Sequence, residues 1–131
     1  MVNQMVNLEN IRKLEGVIEK VEVMPLREFF DDEERLNQFI EKMRIPDKVE
    51  NESEYIEKRL NRDVIVITYT FNNGDKDITR REFLNIPLAT GYSRSKLKAF
   101  VIRNDLPLNT DDWLNRKIKL TTNDEGFVRL V

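Results

Sequence analysis

Cysteine and histidine are both absent from this 131-residue chain. Their absence removes the usual thiolate nucleophile, the commonest general base near neutral pH, and the sulfur and nitrogen ligands of most zinc sites. It also rules out a disulfide framework, so nothing points to an oxidising compartment. Glycine is scarce. Gly16, Gly74, Gly91 and Gly126 stand too far apart for a phosphate-cradling P-loop or a dinucleotide-binding turn. No apolar run approaches the ~20 residues that a membrane helix needs, and Met1 to Asn10 is polar, without a signal-like apolar stretch. The expectation from these absences is a cytoplasmic protein (host cytoplasm if viral) that is not an enzyme, carries no cofactor or metal and does not enter a membrane. Two acidic runs remain, Asp31-Asp32-Glu33-Glu34 and Asp111-Asp112. They read better as helix starts, where carboxylates meet the positive end of the helix dipole, than as a metal-dependent nuclease site.

What is present suits one soluble domain spanning residues 1–131. Hydrophobic residues make up 40% of the chain and charged residues 35%. A chain of this length buries roughly two-thirds of its unfolded surface, enough for a core without staples. The net charge of −2 is uneven: residues 1–60 carry −5 and residues 61–131 carry +3. Between Arg80 and Arg103, six basic residues face one acid, Glu82. Such segregation suits a polyanion on one side and either a protein or plain water on the other.

Gly16 to Met24 is rich in β-branched residues and reads as a strand, which Pro25 closes because proline cannot donate to a ladder. Asp31 and Asp32 are N-cap candidates for a helix with Leu36, Phe39, Ile40 and Met43 on one face, ending near Ile45 ahead of Pro46. Asp47 to Asn61 is polar and reads as a short surface helix or a mobile insertion. Asp63 to Phe71 is the strongest strand signal, and Asn72-Asn73-Gly74-Asp75 turns it back into a strand over Lys76 to Leu84. Ser93 or Ser95 caps a helix reaching about Asn104, with Leu97, Phe100 and Val101 as its apolar stripe. Thr110 and Asp111 open a short turn carrying Trp113. Strands over Arg116 to Thr121 and Phe127 to Val131 flank a second hairpin at 122–126. The short echo MVNQ/MVNL at the start is the one internal repetition.

Five strands with a helix between the third and fourth is the order of an OB-fold barrel. The fold expected is therefore α+β: a five-stranded OB-like β-barrel with a helical insertion, at about 31–60, between the first and second strands.

The segments Ser93-Arg94-Ser95-Lys96-Leu97-Lys98-Ala99-Phe100, Trp113-Leu114-Asn115-Arg116-Lys117-Ile118-Lys119-Leu120 and Gly126-Phe127-Val128-Arg129 add a pattern. Over about residues 83–131 the chain resembles the small OB-fold single-stranded-DNA-binding proteins of phage and viral replication and recombination modules. In that pattern a Ser-Lys-Leu helix precedes an LxGKxV strand and a closing hairpin. Asn115 stands where the pattern has glycine, and the insertion at 31–60 has no counterpart in it. The resemblance implies single-stranded DNA binding in replication or recombination.

Binding of single strands without sequence choice needs a charged track and rings on which bases stack. OB-fold barrels commonly receive oligonucleotides on their second and third strands and the adjacent loops. Strand alternation puts Ile65, Ile67, Tyr69 and Phe71 on one face, and Tyr69 either fills the core or stacks a base. Lys76, Arg80 and Arg81 follow on the return strand as phosphate contacts, both arginines being expected at the surface, where charge reversal would spare the fold. Tyr92, Arg94, Lys96 and Lys98 cluster at a helix start, where basic groups oppose the dipole and so suggest a bound anion. Lys117 and Lys119 bracket a strand beside Trp113. Trp113 reads as core, with Leu114 and Phe127 beside it, rather than as a stacking platform. The expected partner is single-stranded DNA, with RNA as the alternative. The acidic half is the surface expected to meet a second copy or another replication protein. The rival reading is a protein–protein module, an inhibitor or assembly subunit, that uses the acidic insertion.

Overall fold

The computed structural model describes residues 14–122 and 125–131. The opening echo and the polar start lie outside the described residues, as do Asn123 and Asp124 of the second hairpin. Five strands, β1 (Glu15–Pro25), β2 (Asp63–Asn72), β3 (Asp77–Asn85), β4 (Lys117–Thr122) and β5 (Val128–Leu130), form one antiparallel sheet in the order β3-β2-β1-β4-β5. The sheet curls into a nearly closed barrel. Helices α1 (Leu26–Phe29), α2 (Glu33–Lys42) and α3 (Glu52–Leu60) stand between β1 and β2, and α4 (Lys96–Arg103) stands between β3 and β4. This is the OB-like arrangement that the element order implied.

The sheet bends because β1 must serve two partners. It pairs with β2 along its length and with β4 over Glu15–Val17, and its register slips between Ile18 and Lys20. A bulge of this kind adds twist and lets one strand turn a barrel corner. Beyond it, the Ile18 N–H donates to Arg116 O at 3.0 Å, and the Asn115 N–H donates to Ile18 O at 2.8 Å. Gly16 passes close to its neighbours there: a Cβ on it would stand 3.0 Å from Leu120 Cδ1 and 3.2 Å from Thr70 O. Asn115 has φ +64°, the left-handed region that favours glycine and that asparagine tolerates better than most residues.

Strand β2 is apolar on both faces, and each face has its own core. Ile65, Ile67, Tyr69 and Phe71 point into the barrel with Ile18, Phe100, Trp113, Ile118 and Leu120. Val64 and Val66 point outward and are covered by Leu26 and Leu60, with Phe29, Phe39, Ile40, Ile56 and Phe83 around them. Covering each of the two valines is worth about 1.5–3 kcal/mol, which ties the insertion to the barrel. The apolar stripe of α2 is therefore used internally, and its acidic side faces solvent.

The helix starts follow the capping logic. Asp32 Oδ1 accepts from the Arg35 N–H at 2.7 Å, and Glu33 and Glu34 occupy the first turn of α2. Ser95, rather than Ser93, caps α4, accepting from the Lys98 N–H at 3.0 Å. Three expectations shift. The insertion begins at Leu26 and not near residue 31, because the Leu26 N–H donates to Arg62 O at 2.9 Å while the Leu26 side chain is fully buried. Helix α2 ends at Lys42, with Met43 already extended ahead of Pro46. The turn before Trp113 is capped by Asn109, whose Oδ1 accepts from the Asp111 N–H at 3.0 Å.

Trp113 is 1% exposed, packs edge-on against Phe100 at 5.8 Å, and donates from Nε1 to Pro107 O at 2.7 Å. The core reading holds for this ring but not for its presumed companions. Leu114 is 49% exposed and Phe127 is 54% exposed. Trp113→Ala is expected to destabilise the fold by about 3–5 kcal/mol in urea denaturation. Trp113 emission should be blue-shifted in the free protein and unchanged by oligonucleotide. Red-shifted emission quenched by oligonucleotide would place the ring at the surface instead.

Candidate nucleic-acid interface

The outer face of β2 and β3 divides in two. The insertion covers its Val64–Val66 end and leaves Thr68, Thr70 and Thr79 beside it, with Thr70 Oγ1 and Thr79 Oγ1 sharing a hydrogen bond of 3.0 Å. Where the covered part ends, a groove of about 530 Å³ opens between α1, the start of α2, and β3. Phe29, Phe30, Arg35, Arg80 and Arg81 line it, together with Asp31, Thr68 and Thr79.

The rings in this groove are held rigidly. Phe29 meets Phe30 edge-on at 5.4 Å and Phe83 at 5.0 Å, and Phe30 meets Phe39 at 5.1 Å. All four are half-buried, so each ring is held by its neighbours and Phe29 and Phe30 keep surface toward the groove. Aromatic contacts of this geometry are worth about 0.5–1.5 kcal/mol each beyond burial.

Arg81 holds this arrangement together. Its Nη1 donates to Phe29 O at 3.4 Å and pairs with Asp31 Oδ1 at 3.1 Å, and its guanidinium carbon lies 5.2 Å from the centre of the Phe29 ring. Charge reversal at Arg81 would unlatch α1 from β3, which corrects the expectation that both arginines are expendable surface charges. Arg80 borders the groove, but it stands opposite the inward-pointing Tyr69 in the ladder. Strand alternation therefore turns its side chain to the face away from Arg81, a correction to its expected role as a phosphate contact beside Arg81. Arg35 is exposed, and its contact with Asp32 is long, at 3.9 Å. The groove therefore offers one guanidinium with little competing for it, that of Arg35, and a second, that of Arg81, already engaged. Such a surface can hold phosphates while flat rings lie against the phenylalanines.

The other anticipated residues do not gather here. Tyr69 is 0% exposed inside the barrel, so its ring has no face to offer a base, and the stacking alternative for it is withdrawn. Strand alternation carries its side chain inward beside Ile67 and Phe71, where its hydroxyl donates to Glu82 Oε2. Tyr92 is half-buried in the 3-10 turn Ala89–Arg94 and packs on the barrel core. Lys76 is exposed on the β2–β3 turn, Arg94 is exposed at the end of the 3-10 turn, and Lys98 is half-buried on α4. Lys117 and Lys119 project from β4 opposite Val17 and Glu15, outside this groove. Lys96 lines a different opening, between β3 and β5. Phe29, Phe30 and Arg35 were not among the residues anticipated. The signal for them was an aromatic pair four residues after a strand-ending proline, followed by a cation five residues further on.

Among the described residues, no group of three or more Asp and Glu side chains is placed to hold a metal ion, and no helix is long and apolar enough to cross a membrane. Asp32 serves as a cap and Asp31 as the partner of Arg81.

Burial, then the hydrogen bond and the charge of Glu82, push the Tyr69 hydroxyl far above its ordinary pKa of 10.0, against the weaker opposing charges of Arg80 and Arg129. A proton held more tightly in the folded state stabilises the fold fully below the unfolded value, and that contribution is lost as pH rises beyond it. Thermal stability should therefore decline as pH climbs past about 10, and Tyr69→Phe should flatten that decline while costing about 1–2 kcal/mol at pH 8. An equally steep decline in the variant would show that Tyr69 is not its source. Compared with models of known protein families, with curated proteins and with solved structures, the chain matches none.

Proposed function

We propose that this protein binds single-stranded nucleic acid, DNA in the first instance, along the groove between α1 and β3. It would serve replication or recombination without strong sequence choice. The observation that carries this reading is the meeting of two rigidly held phenylalanine rings with Arg35 and Arg81 on the strand face that OB-like barrels use for oligonucleotides. Rings accept any base by stacking, and guanidiniums accept any phosphate, so the groove favours strands over duplexes, whose bases are already stacked. The resemblance of residues 83–131 to phage and viral single-strand-binding proteins points the same way. The left-handed Asn115 supports it, because the pattern's glycine answers the same backbone requirement. The acidic overall pI near 5.4 is compatible with this reading, because much of the acid sits on the solvent side of the insertion and the arginines sit in the groove.

Fluorescence anisotropy with an oligothymidine tests the proposal. If Arg35 and Arg81 each meet a phosphate, log affinity should fall against log salt with a slope of about −1.4, and Arg35→Gln should make it shallower by about 0.7. Phe30→Leu keeps apolar bulk but removes the ring, and should cost about 1–3 kcal/mol of binding. A slope near zero, or unchanged affinity in both variants, would refute the groove as the binding site.

A further inference from the structure

We infer that the open seam between β3 and β5 is a second binding site, one that takes an extended, acidic protein segment as an added strand. Strand β3 pairs with β2 from Asp77 to Asn85, and among the described residues its other edge has no strand partner. Half the main-chain N–H and C=O groups of an edge strand point away from its one neighbour, which makes such an edge a template for pairing. Strand β5 is too short to close the seam: its three residues pair with β4, and the link to β3 is the Glu82 carboxylate, which accepts from the Leu130 N–H at 3.0 Å. Beyond Glu82 the edge runs through Phe83, Leu84 and Asn85, which carry no charge to discourage a partner. An opening of about 930 Å³ lies alongside, walled by α4 on one side and Leu130 on the other.

The rim of this opening selects the partner. Arg59, Lys96, Arg103 and Arg129 all line it, and among the described residues none of them has an ion-pair partner. The one acidic side chain in the lining, Glu82, already accepts two hydrogen bonds, from Tyr69 and from Leu130. Arg59 Nε is buried without an acceptor, so this side chain keeps hydrogen-bonding capacity that the described residues leave unused. Four cations above a strand edge match a peptide with carboxylates on alternate residues, main chain paired to β3 and apolar side chains toward Leu84 and Ala99. A nucleic acid fits less well. The aromatic rings lining the seam, Phe83 and Phe100, are engaged in the two cores and offer no platform for stacking.

The test uses the full chain and a fluorescent eight-residue peptide alternating valine with glutamate. It should bind at least about tenfold more tightly than its valine–lysine counterpart. The double variant Lys96→Glu with Arg103→Glu changes two exposed residues and should weaken the acidic peptide by at least about tenfold, while oligothymidine affinity stays within about twofold. Methylating alternate peptide nitrogens keeps the charge but removes main-chain donors, and should cost at least about tenfold as well. Equal binding of the methylated peptide would overturn strand addition. A parallel loss of oligothymidine in the double variant would overturn the partner assignment, because the rim would then belong to the nucleic-acid path. The peptide arm reads independently of whether oligothymidine binds.

Discussion

The barrel is closed across β3 and β5 by a carboxylate rather than by a ladder. Glu82 reaches from β3 across the seam and accepts hydrogen bonds from the Tyr69 hydroxyl below and from the main-chain N–H of Leu130 on the facing strand. Hydrogen bonds to a charged acceptor contribute about 1.5–3 kcal/mol each, enough to hold a three-residue strand that could not hold itself. Much follows from this. Tyr69 is committed to the interior and lost as a binding residue. The stretch of β3 past Glu82 keeps an open edge. The opening beside it is walled by α4, whose buried stripe of Leu97, Phe100 and Val101 packs on the barrel core.

The second organising feature is β2 as a wall between two apolar cores. An OB-like barrel with a bare outer sheet face would expose Val64 and Val66. Here the insertion covers them and opens with the Phe29–Phe30 pair, and Arg81 clamps that start to β3 through Asp31 and the Phe29 carbonyl. The covered face and the candidate groove are thus linked. The same cluster that buries the outer valines supplies the rings of the candidate groove, and its rigidity comes from packing rather than from any ligand.

Local patterns in the sequence resolved most of the elements. Alternation in Asp63–Phe71 assigned Ile65, Ile67, Tyr69 and Phe71 to one face, and that face is the barrel interior. The caps at Asp32 and Ser95 and the turn at Asn72–Lys76 were legible because they depend on residues within four positions. What escaped depends on distance along the chain. Arg81 and Asp31 are fifty residues apart, and nothing local to Arg80-Arg81 says that Arg81 is a clamp. Phe29 and Phe30 sat in a stretch too short to display a period, and the basic run from Arg80 to Arg103 is divided by the fold between a groove and a seam. The exposed Leu114 shows the same limit, since adjacency to Trp113 in sequence does not carry it into the core with that ring.

The central claim is that single strands lie in the groove between α1 and β3. Amide chemical shifts of the isotopically labelled protein, followed while oligothymidine is added, test it most directly. The account predicts that the largest shifts fall on Phe30, Arg35, Thr68, Thr79 and Arg80, with Lys117 and Lys119 of β4 little moved. Shifts centred on β4, or none at all, would contradict it.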